Sequence, residues 1–295
     1  MNKYLLLLLP FLLLACGEQR TSTSEVEMKQ STGVLYGDDT REDLYENGSY
    51  ANIASATAIL VEGRKMTQKG DLWSVDSQAL DKHYPLCPDE KFVKQQALGL
   101  CSGVLIAPNK VLTAGHCMQS KERCAGTKFM FGWNLQKSLT KTVRDADVYH
   151  CKNVIEQKTH RAKGIDYAIV ELDRDVENVT PVKIAEEKTL GRGEEVVSLS
   201  YPLGIPLKKD IGKVAEYSPE KNLFKVEVDT FAGSSGSPLF NTNNELIGIL
   251  STGMEDFLED DIFRIQTEGG CLNIHRCKNG QCFGESFFKA SLIDL

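Results

Sequence analysis

Short runs of apolar residues, separated by turn-forming residues, recur along the chain from about residue 101 to residue 251. Val104–Ala107 and Val111–Ala114 flank Pro108 and Asn109, a pattern typical of a β-hairpin. Many short strands at regular spacing predict antiparallel β-barrels. We expect further strands at 50–62, 129–133, 148–155, 167–172, 196–201, 213–217, 223–229, 237–240 and 245–251.

The stretches between and after these runs predict connections. Residues 173–181 are charged and polar, and we expect the chain to cross there from one barrel to the next. Residues 254–261 are acidic and predict a surface loop. The residues that follow show no pattern of a long C-terminal helix.

Residues 1–16 are typical of a targeting segment. Lys3 supplies a positive start, and Leu5–Leu14 form an apolar stretch too short for a typical membrane span. The ending Leu-Leu-Ala-Cys16 resembles the lipobox of bacterial lipoproteins, which implies cleavage before Cys16 and lipidation of its thiol. Because Gly17 follows, the rule for that class implies an outer-membrane protein. An ordinary secretory signal or a membrane span is the alternative.

Composition fits a folded, exported domain. The 295 residues are 41% apolar and 25% charged, which permits a sizeable core and argues against wholesale disorder. The net charge is −7, and the sequence shows no cluster of basic residues of the kind that binds nucleic acid. Nine cysteines less Cys16 leave an even number, which suits disulfides in an oxidising compartment. Cys271, Cys277, Cys282 and His275 also allow a zinc site, but export favours disulfides.

Candidate chemistry lies in Gly-Ser-Ser-Gly-Ser-Pro at 233–238, a turn of small residues that presents Ser235. A serine hydroxyl becomes a nucleophile when a base takes its proton and N–H donors await the oxyanion. The N–H groups of Gly233 and Ser235 can point into one such space. A plain loop or linker is the alternative. The turn is not the Gly-x-Ser-x-Gly elbow of α/β-hydrolases, because residue 237 is Ser.

Two upstream stretches favour a catalytic role for the serine turn over a plain loop. One ends in Thr-Ala-Gly-His116-Cys, and the other is Gly-Ile-Asp166-Tyr-Ala-Ile-Val. With Ser235 they resemble the chymotrypsin-like (trypsin-fold) serine proteases over residues 34–255, closest to the bacterial glutamyl-endopeptidase branch. The resemblance implies a triad of His116, Asp166 and Ser235, in a chain order that subtilisins and α/β-hydrolases do not share.

The resemblance also implies the fold class, which is all-β with two antiparallel six-stranded β-barrels and the active site between them. It implies a disulfide between Cys101 and Cys117. Cys124 and Cys151 are a further expected pair, while the pairing of Cys87 and the three tail cysteines stays open. The expected divisions are a signal peptide at 1–15, a tether or propeptide at 16–33, a first barrel with the His and Asp at 34–175, and a second barrel with the Ser and the Cys-rich end at 176–295.

Specificity residues follow from the same resemblance. Asp229 stands where trypsin binds basic side chains, which implies cleavage after Arg or Lys; the alternative is a strand-end residue that faces away from the pocket. Thr230 matches a threonine with which glutamyl endopeptidases bind a substrate carboxylate. Leu250 stands where those enzymes use a histidine, and it cannot donate. Ser251-Thr252-Gly253 resembles the segment whose backbone pairs with substrate as an added strand.

Activation differs from that of trypsin-like zymogens, which pair a new N-terminus with an Asp just before the nucleophile. Ser234 occupies that position and carries no charge, so we do not expect this salt bridge. Residues 34–45 resemble the start of the mature catalytic domain in the glutamyl-endopeptidase branch.

The sequence therefore predicts an exported, lipid-anchored serine endopeptidase that cleaves protein or peptide substrates through an acyl-enzyme. The chemistry requires no metal or organic cofactor, and we expect a monomer with no nucleic-acid partner. Two alternatives stay open: a binding lipoprotein on a catalytically silent protease scaffold, and a protease that needs N-terminal processing.

Overall fold

The computed structural model describes residues 34–45, 48–186, 190–277 and 282–293. The predicted signal peptide, the lipidation site Cys16 and the tether lie outside the described residues. Within the described ranges, no helix is long and apolar enough to cross a membrane.

Six antiparallel strands close the first barrel. Pro108 and Asn109 turn the chain between two neighbouring strands, as the paired apolar runs predict. Phe129 and Val170 point inward and have no exposed surface, so the barrel is filled by its own side chains. In hydrogen-bonded order the strands are Thr127–Phe131, Val148–His160, Ile165–Leu172, Lys110–Thr113, Cys101–Ala107 and Thr57–Glu62.

A second six-stranded barrel follows, and the two barrels together confirm the predicted fold class. Its sixth strand, Glu285–Lys289, was not predicted, because its short apolar pair lies in the Cys-rich tail where no alternation is visible. Phe287 and Phe288 of this strand are buried in the core. In hydrogen-bonded order the strands are Glu195–Ser200, Pro238–Phe240, Leu246–Thr252, Glu285–Lys289, Leu223–Glu227 and Lys208–Glu216.

The described chain also contains short helices, short strands and 3₁₀ turns outside the barrel strands. The helix Glu259–Glu268 begins inside the acidic stretch that was predicted as a surface loop, and Asp256 and Phe257 just before it are buried. The other helices are Ala51–Ser55, Lys121–Gly126 and Leu135–Thr140. The short strands are Leu35–Tyr36, Glu42–Asp43, Met66–Lys69, Leu72–Val75, Gln78–Ala79, Gln96–Ala97, Thr142–Arg144 and Arg276–Cys277. Single 3₁₀ turns lie at Gly63–Lys65, Leu80–Lys82, Gly115–Met118, Asp145–Asp147, Arg161–Lys163, Pro202–Gly204 and Ala290–Leu292.

The segment at the start of the described chain pairs with the second barrel. Glu42–Asp43 is antiparallel to Lys208–Lys209, and the N–H of Val34 donates to the carbonyl oxygen of Thr230 at 2.9 Å. The expected first barrel, 34–175, thus included a segment that belongs to the second. The polar pattern of residues 37–43 did not reveal it, because its pairing uses backbone groups and a few buried charges.

Four disulfides join the described cysteines. Two of them are the expected pairs, and the other two answer the question that the sequence left open. All three tail cysteines are therefore oxidised, so the zinc alternative with His275 lacks the thiolates it needs. The pairs are Cys101–Cys117, Cys124–Cys151, Cys87–Cys271 and Cys277–Cys282.

The Cys87–Cys271 disulfide predicts a stability difference. It spans 184 residues, whereas Cys277–Cys282 spans 5, and the entropy of loop closure grows with loop length. We expect replacement of Cys87 and Cys271 by Ala to lower the free energy of unfolding by about 2–5 kcal/mol, measured by urea unfolding. The matched control replaces Cys277 and Cys282 and should cost less. An equal or larger loss in the control would contradict this account.

Candidate active site

His116 lies in the 3₁₀ turn Gly115–Met118, directly after the strand Lys110–Thr113. The disulfide from Cys117 to Cys101 holds the far side of this turn against the neighbouring strand. The side-chain amide of Gln157 donates to the carbonyl oxygen of Gly115 at 3.1 Å. The turn is thereby fixed on two sides, and 35% of the His116 side chain is left exposed.

Gly115 is required at its position for a steric reason. A Cβ built on this residue would lie 2.5 Å from the carbonyl oxygen of Lys158, 2.7 Å from Oγ1 of Thr159 and 2.9 Å from the carbonyl oxygen of Tyr167. The histidine turn therefore packs directly on the strand that carries Asp166 and on its neighbour, Val148–His160. An alanine side chain does not fit this close approach.

Asp166 lies at the start of the strand Ile165–Leu172, and its carboxylate accepts several hydrogen bonds. Its Oδ2 lies 2.7 Å from Nδ1 of His116, and its Oδ1 accepts the backbone N–H of His116 at 2.9 Å. The hydroxyl of Ser251, from the second barrel, donates to Oδ2 at 2.9 Å. Because a carboxylate only accepts, Nδ1 carries the proton and Nε2 is left as the basic nitrogen.

The electrostatics of Asp166 favour its ionised form. Burial alone would raise the pKa of this carboxyl, but the hydrogen bonds and positive charge of His116, with help from Ser251, lower the pKa below its ordinary value. The carboxylate therefore stays charged at neutral pH beside the imidazole. Such a pair fixes the imidazole's orientation and stabilises an imidazolium.

The serine turn packs on the start of the strand Cys101–Ala107. The N–H of Ser102 donates to the carbonyl oxygen of Ser235 at 2.8 Å, and its hydroxyl donates to the carbonyl oxygen of Gly233 at 2.9 Å. Sγ of Cys117 lies 3.9 Å from the carbonyl oxygen of Ser235. Gly236 adopts a φ of +82°, and a Cβ there would come within 2.3 Å of Ser102. The backbone of Ser235 is thus held next to the residue that follows His116.

The N–H groups of the turn divide into two sets. Those of Ser234, Gly236 and Ser237 each donate to a backbone carbonyl oxygen at 2.8 Å. Among the described residues, those of Gly233 and Ser235 donate to no acceptor. The carbonyl of Ala232 accepts the N–H of Leu203, so the N–H of Gly233, in the same trans peptide, points the opposite way. The two N–H groups predicted to form an oxyanion hole are the two that remain available.

Asp229 points towards the N-terminal segment. Its Oδ1 accepts the N–H of Tyr36 at 2.7 Å and its Oδ2 the N–H of Thr40 at 3.3 Å, while its own N–H donates to Asp210 at 2.8 Å. Only 2% of Asp229 is exposed. Burial and the neighbouring Asp210 carboxylate raise the pKa of Asp229 to about 7. These contacts match the alternative of a strand-end residue that faces away from the pocket.

Thr230 is buried, and its hydroxyl donates to Oε2 of Glu285 at 2.8 Å. Glu285 is not among the residues predicted from the sequence, because it lies in the tail after the resemblance ends. The available signal was an acidic residue that opens an apolar strand, Glu-Ser-Phe-Phe-Lys at 285–289. Leu250 is buried in the second barrel, where it pairs with Phe287.

The segment Ser251-Thr252-Gly253 lies at the end of the strand Leu246–Thr252. Thr252 is exposed and Gly253 is partly exposed. Ser251 is buried, and its hydroxyl donates to Asp166. Ser251 therefore has a side-chain contact that its expected backbone role did not include. Among the described residues, the one cluster with metal-ligand spacing is Cys101, His116 and Cys117, and its two sulfurs form a disulfide.

Comparison with known proteins decides the family. Residues 101–249, just over half of the chain, match the family described as the trypsin-like peptidase domain. The chain belongs to this family. The matched residues contain His116, Asp166 and Ser235, and the resemblance noted from the sequence is confirmed.

Curated relatives of this trypsin-like peptidase include a toxin, a trypsin and a glutamyl endopeptidase. Exfoliative toxin A of Staphylococcus aureus is 26% identical over 55% of this chain and 58% of the toxin. A trypsin of Saccharopolyspora erythraea is 27% identical over 52% of this chain and 75% of that protein. A glutamyl endopeptidase of Staphylococcus epidermidis is 25% identical over 55% of this chain and 57% of that enzyme. The chain thus spans less than two thirds of the toxin and of the glutamyl endopeptidase.

Solved structures share the fold. A Glu endopeptidase superposes with a TM-score of 0.53 at 18% identity, covering 88% of this chain and 94% of that one. The secreted serine protease VesC from Vibrio cholerae superposes with a TM-score of 0.52 at 15% identity, covering 85% of this chain and 46% of VesC. At these identities the likeness supports the double barrel and nothing finer.

The packing of Gly115 yields a prediction. Gly115→Ala places a methyl group against three polar atoms of neighbouring strands, so the histidine turn must shift. We expect a loss of about 1–3 kcal/mol in the free energy of unfolding. Gly126→Ala is the matched control, because a Cβ there meets no atom within 4 Å. Equal stability of the two variants in urea unfolding would contradict the close approach.

The environment of Asp229 predicts a pH dependence. Its pKa of about 7 in the folded state lies above the unfolded value of about 4, so folding favours the protonated form. The stability contributed by that form is lost as pH rises from about 4 through 7. The free energy of unfolding of the wild type, minus that of Asp229→Asn, should therefore fall between about pH 4 and pH 8. A difference that stays constant or rises would contradict this burial of Asp229.

Proposed function

We propose that the protein is a serine endopeptidase that hydrolyses peptide bonds through His116, Asp166 and Ser235. The observation that carries this proposal is the 2.7 Å contact between Nδ1 of His116 and Asp166, in a turn that packs against the backbone of Ser235. Family membership supports the reaction class. The two unused N–H groups of the serine turn support an acyl-transfer mechanism.

The proposed mechanism assigns each group one task. Nε2 of His116 takes the proton of the Ser235 hydroxyl as the oxygen attacks the scissile carbonyl carbon. The N–H groups of Gly233 and Ser235 donate to the oxyanion as the carbonyl becomes tetrahedral. His116 then gives its proton to the leaving amine, and an acyl-enzyme remains. Water, activated by the same imidazole, attacks the acyl carbon and releases the second product. Asp166 holds the imidazole and stays ionised throughout.

The proposal extends to where the enzyme works. Four disulfides within the described residues support an oxidising compartment, since structural disulfides persist outside the cytosol. The lipobox-like sequence ending at Cys16 supports a lipid anchor, with cleavage before that cysteine. We therefore propose an exported, outer-membrane lipoprotein that acts as a monomer on protein or peptide substrates.

Two specificity residues take revised roles in this proposal. Asp229 anchors the N-terminal segment through Tyr36 and Thr40, and so does not bind a basic substrate side chain. Thr230 is fully buried and donates its hydroxyl to Glu285, and so does not bind a substrate carboxylate. The segment Ser251-Thr252-Gly253 keeps its place beside the substrate, with Ser251 also holding Asp166.

Two neighbouring serines test the proposal. Ser235→Ala removes the nucleophile and should lower kcat by about a million-fold. Ser237→Ala should leave kcat within a few-fold, because the buried hydroxyl of Ser237 has no hydrogen-bond partner among the described residues. The measurement is digestion of a broad peptide library by the oxidatively folded protein, with the cut sites identified by mass spectrometry.

Equal loss of cleavage in both serine variants would contradict the assignment of the nucleophile. Cleavage that survives in Ser235→Ala would contradict this mechanism, because Ser234 and Ser237, the other serines of the turn, have no exposed surface.

A further inference from the structure

Arg41 lies in the N-terminal segment, and its guanidinium is buried. Only 2% of the residue is exposed. Its Nε and Nη2 donate to the two carboxylate oxygens of Asp39 at 2.9 and 2.6 Å, and this bidentate pair fixes the plane of the guanidinium. Nζ of Lys91 donates to the carbonyl oxygens of Asp39 and Arg41 at 2.8 and 3.1 Å. The position of the cation is therefore set by the protein itself.

The guanidinium of Arg41 lies over the ring of Phe231. Its Cζ is 4.3 Å from the centroid of that ring, and 5.3 Å from the centroid of the Phe92 ring. A cation is attracted to the negative face of an aromatic ring, and the attraction is stronger where water is excluded. Because only 1% of Phe231 is exposed, the contact is buried on both sides. The N-terminal segment thus holds this ring from behind the serine turn.

Phe231 is the first residue of a tight turn that carries one oxyanion donor. Its carbonyl oxygen accepts the N–H of Ser234 at 2.8 Å, which closes a β-turn, and its N–H donates to Oγ of Ser234 at 3.3 Å. Gly233, the third residue, has a φ of +88°, as in a type II turn. A flip of the peptide between Ala232 and Gly233 gives a type I turn and reverses the N–H of Gly233. The donor is available only while the turn keeps its form.

Separate contacts hold the middle and the first residue of this turn. The carbonyl oxygen of Ala232 accepts the N–H of Leu203 at 2.5 Å, and the N–H of Ala232 donates to Oδ2 of Asp256 at 3.3 Å. These two bonds fix the central peptide. They keep it in place only if the residue before it also stays fixed, and the contact between Arg41 and the Phe231 ring does this.

We propose that Arg41 is a positioning residue of this peptidase, which holds Phe231 so that the N–H of Gly233 points at the oxyanion. The inference rests on the proposed endopeptidase function. The device needs no free α-amino group and no carboxylate before the nucleophile, where this chain has Ser234. Because Arg41 is buried, it touches neither the substrate nor the reacting atoms and acts only through the turn.

The first measurement compares kcat and KM on one peptide substrate. Arg41→Met removes the charge and keeps an unbranched side chain. It should lower kcat, expressed per folded protein, by about 100-fold, as the loss of one oxyanion donor does. KM should change by less than about three-fold, because ground-state binding does not use this donor. Arg41→Lys keeps a cation over the ring and should restore part of kcat.

Two further variants separate this role from general stability. Phe231→Leu leaves the ion pair of Arg41 with Asp39 intact, and it should lower kcat as Arg41→Met does, even if Arg41→Met does not fold. The two substitutions together should cost no more than one alone, since they break one contact. Thr40→Val is the matched control. It removes the 2.6 Å bond of the neighbouring hydroxyl to Asp210 and should keep kcat within a few-fold.

Amide hydrogen exchange of residues 231–237 gives a readout that does not depend on cleavage. These amides should exchange at least about 10-fold faster in Arg41→Met and in Phe231→Leu than in the wild type, and at the wild-type rate in Thr40→Val. This pattern in a protein that cleaves no peptide would refute the catalytic proposal alone. Unchanged exchange of the turn in both ring-contact variants, an unchanged kcat in them, or an equal fall of kcat in Thr40→Val would overturn the role of Arg41.

Discussion

The buried carboxylate of Asp166 is the constraint on which the rest of the site depends. It accepts the backbone and the side chain of His116 from its own barrel, and the hydroxyl of Ser251 from the other. An ionised carboxylate is stable in such a place only when these donors satisfy it. The position of the histidine turn and the docking of the second barrel are therefore linked through one side chain. The packing of Gly115 on the neighbouring backbone keeps that arrangement tight.

A second set of buried carboxylates binds the N-terminal segment to the second barrel. Asp229 accepts the backbone N–H groups of Tyr36 and Thr40 in the N-terminal segment. Asp210 accepts the Thr40 hydroxyl, and Glu285 accepts the Tyr36 hydroxyl. Like charges held close in a low dielectric raise one another's pKa, and burial adds to the effect. The first residues of the described chain thus lie where they seal the floor of the second barrel.

The sequence predicted what depends on local pattern. The hairpin around Pro108 and Asn109 follows from the apolar pattern. The two six-stranded barrels and the Cys101–Cys117 bridge follow from the family resemblance that the motifs around His116, Asp166 and Ser235 carry. The sequence did not predict the features that depend on contacts between residues far apart in the chain. The strand Glu285–Lys289 is too short to show alternation, and the pairing of residues 42–43 with the second barrel uses backbone groups. The direction of Asp229 was undetermined for the same reason, since a strand-end side chain has two sides to face.

The most direct test of the account measures how fast a fluorophosphonate, which carries no specificity side chain, modifies Ser235 in the wild type and in Asp166→Asn. The asparagine keeps the size of the side chain. It does not hold His116 in the tautomer that carries the proton on Nδ1 and leaves Nε2 as the base. We expect a single adduct on Ser235 in the wild type and a rate about 10,000-fold lower in Asp166→Asn, with the fold unchanged by circular dichroism. Equal rates in the two proteins, or an adduct on another residue, would contradict the central role of Asp166.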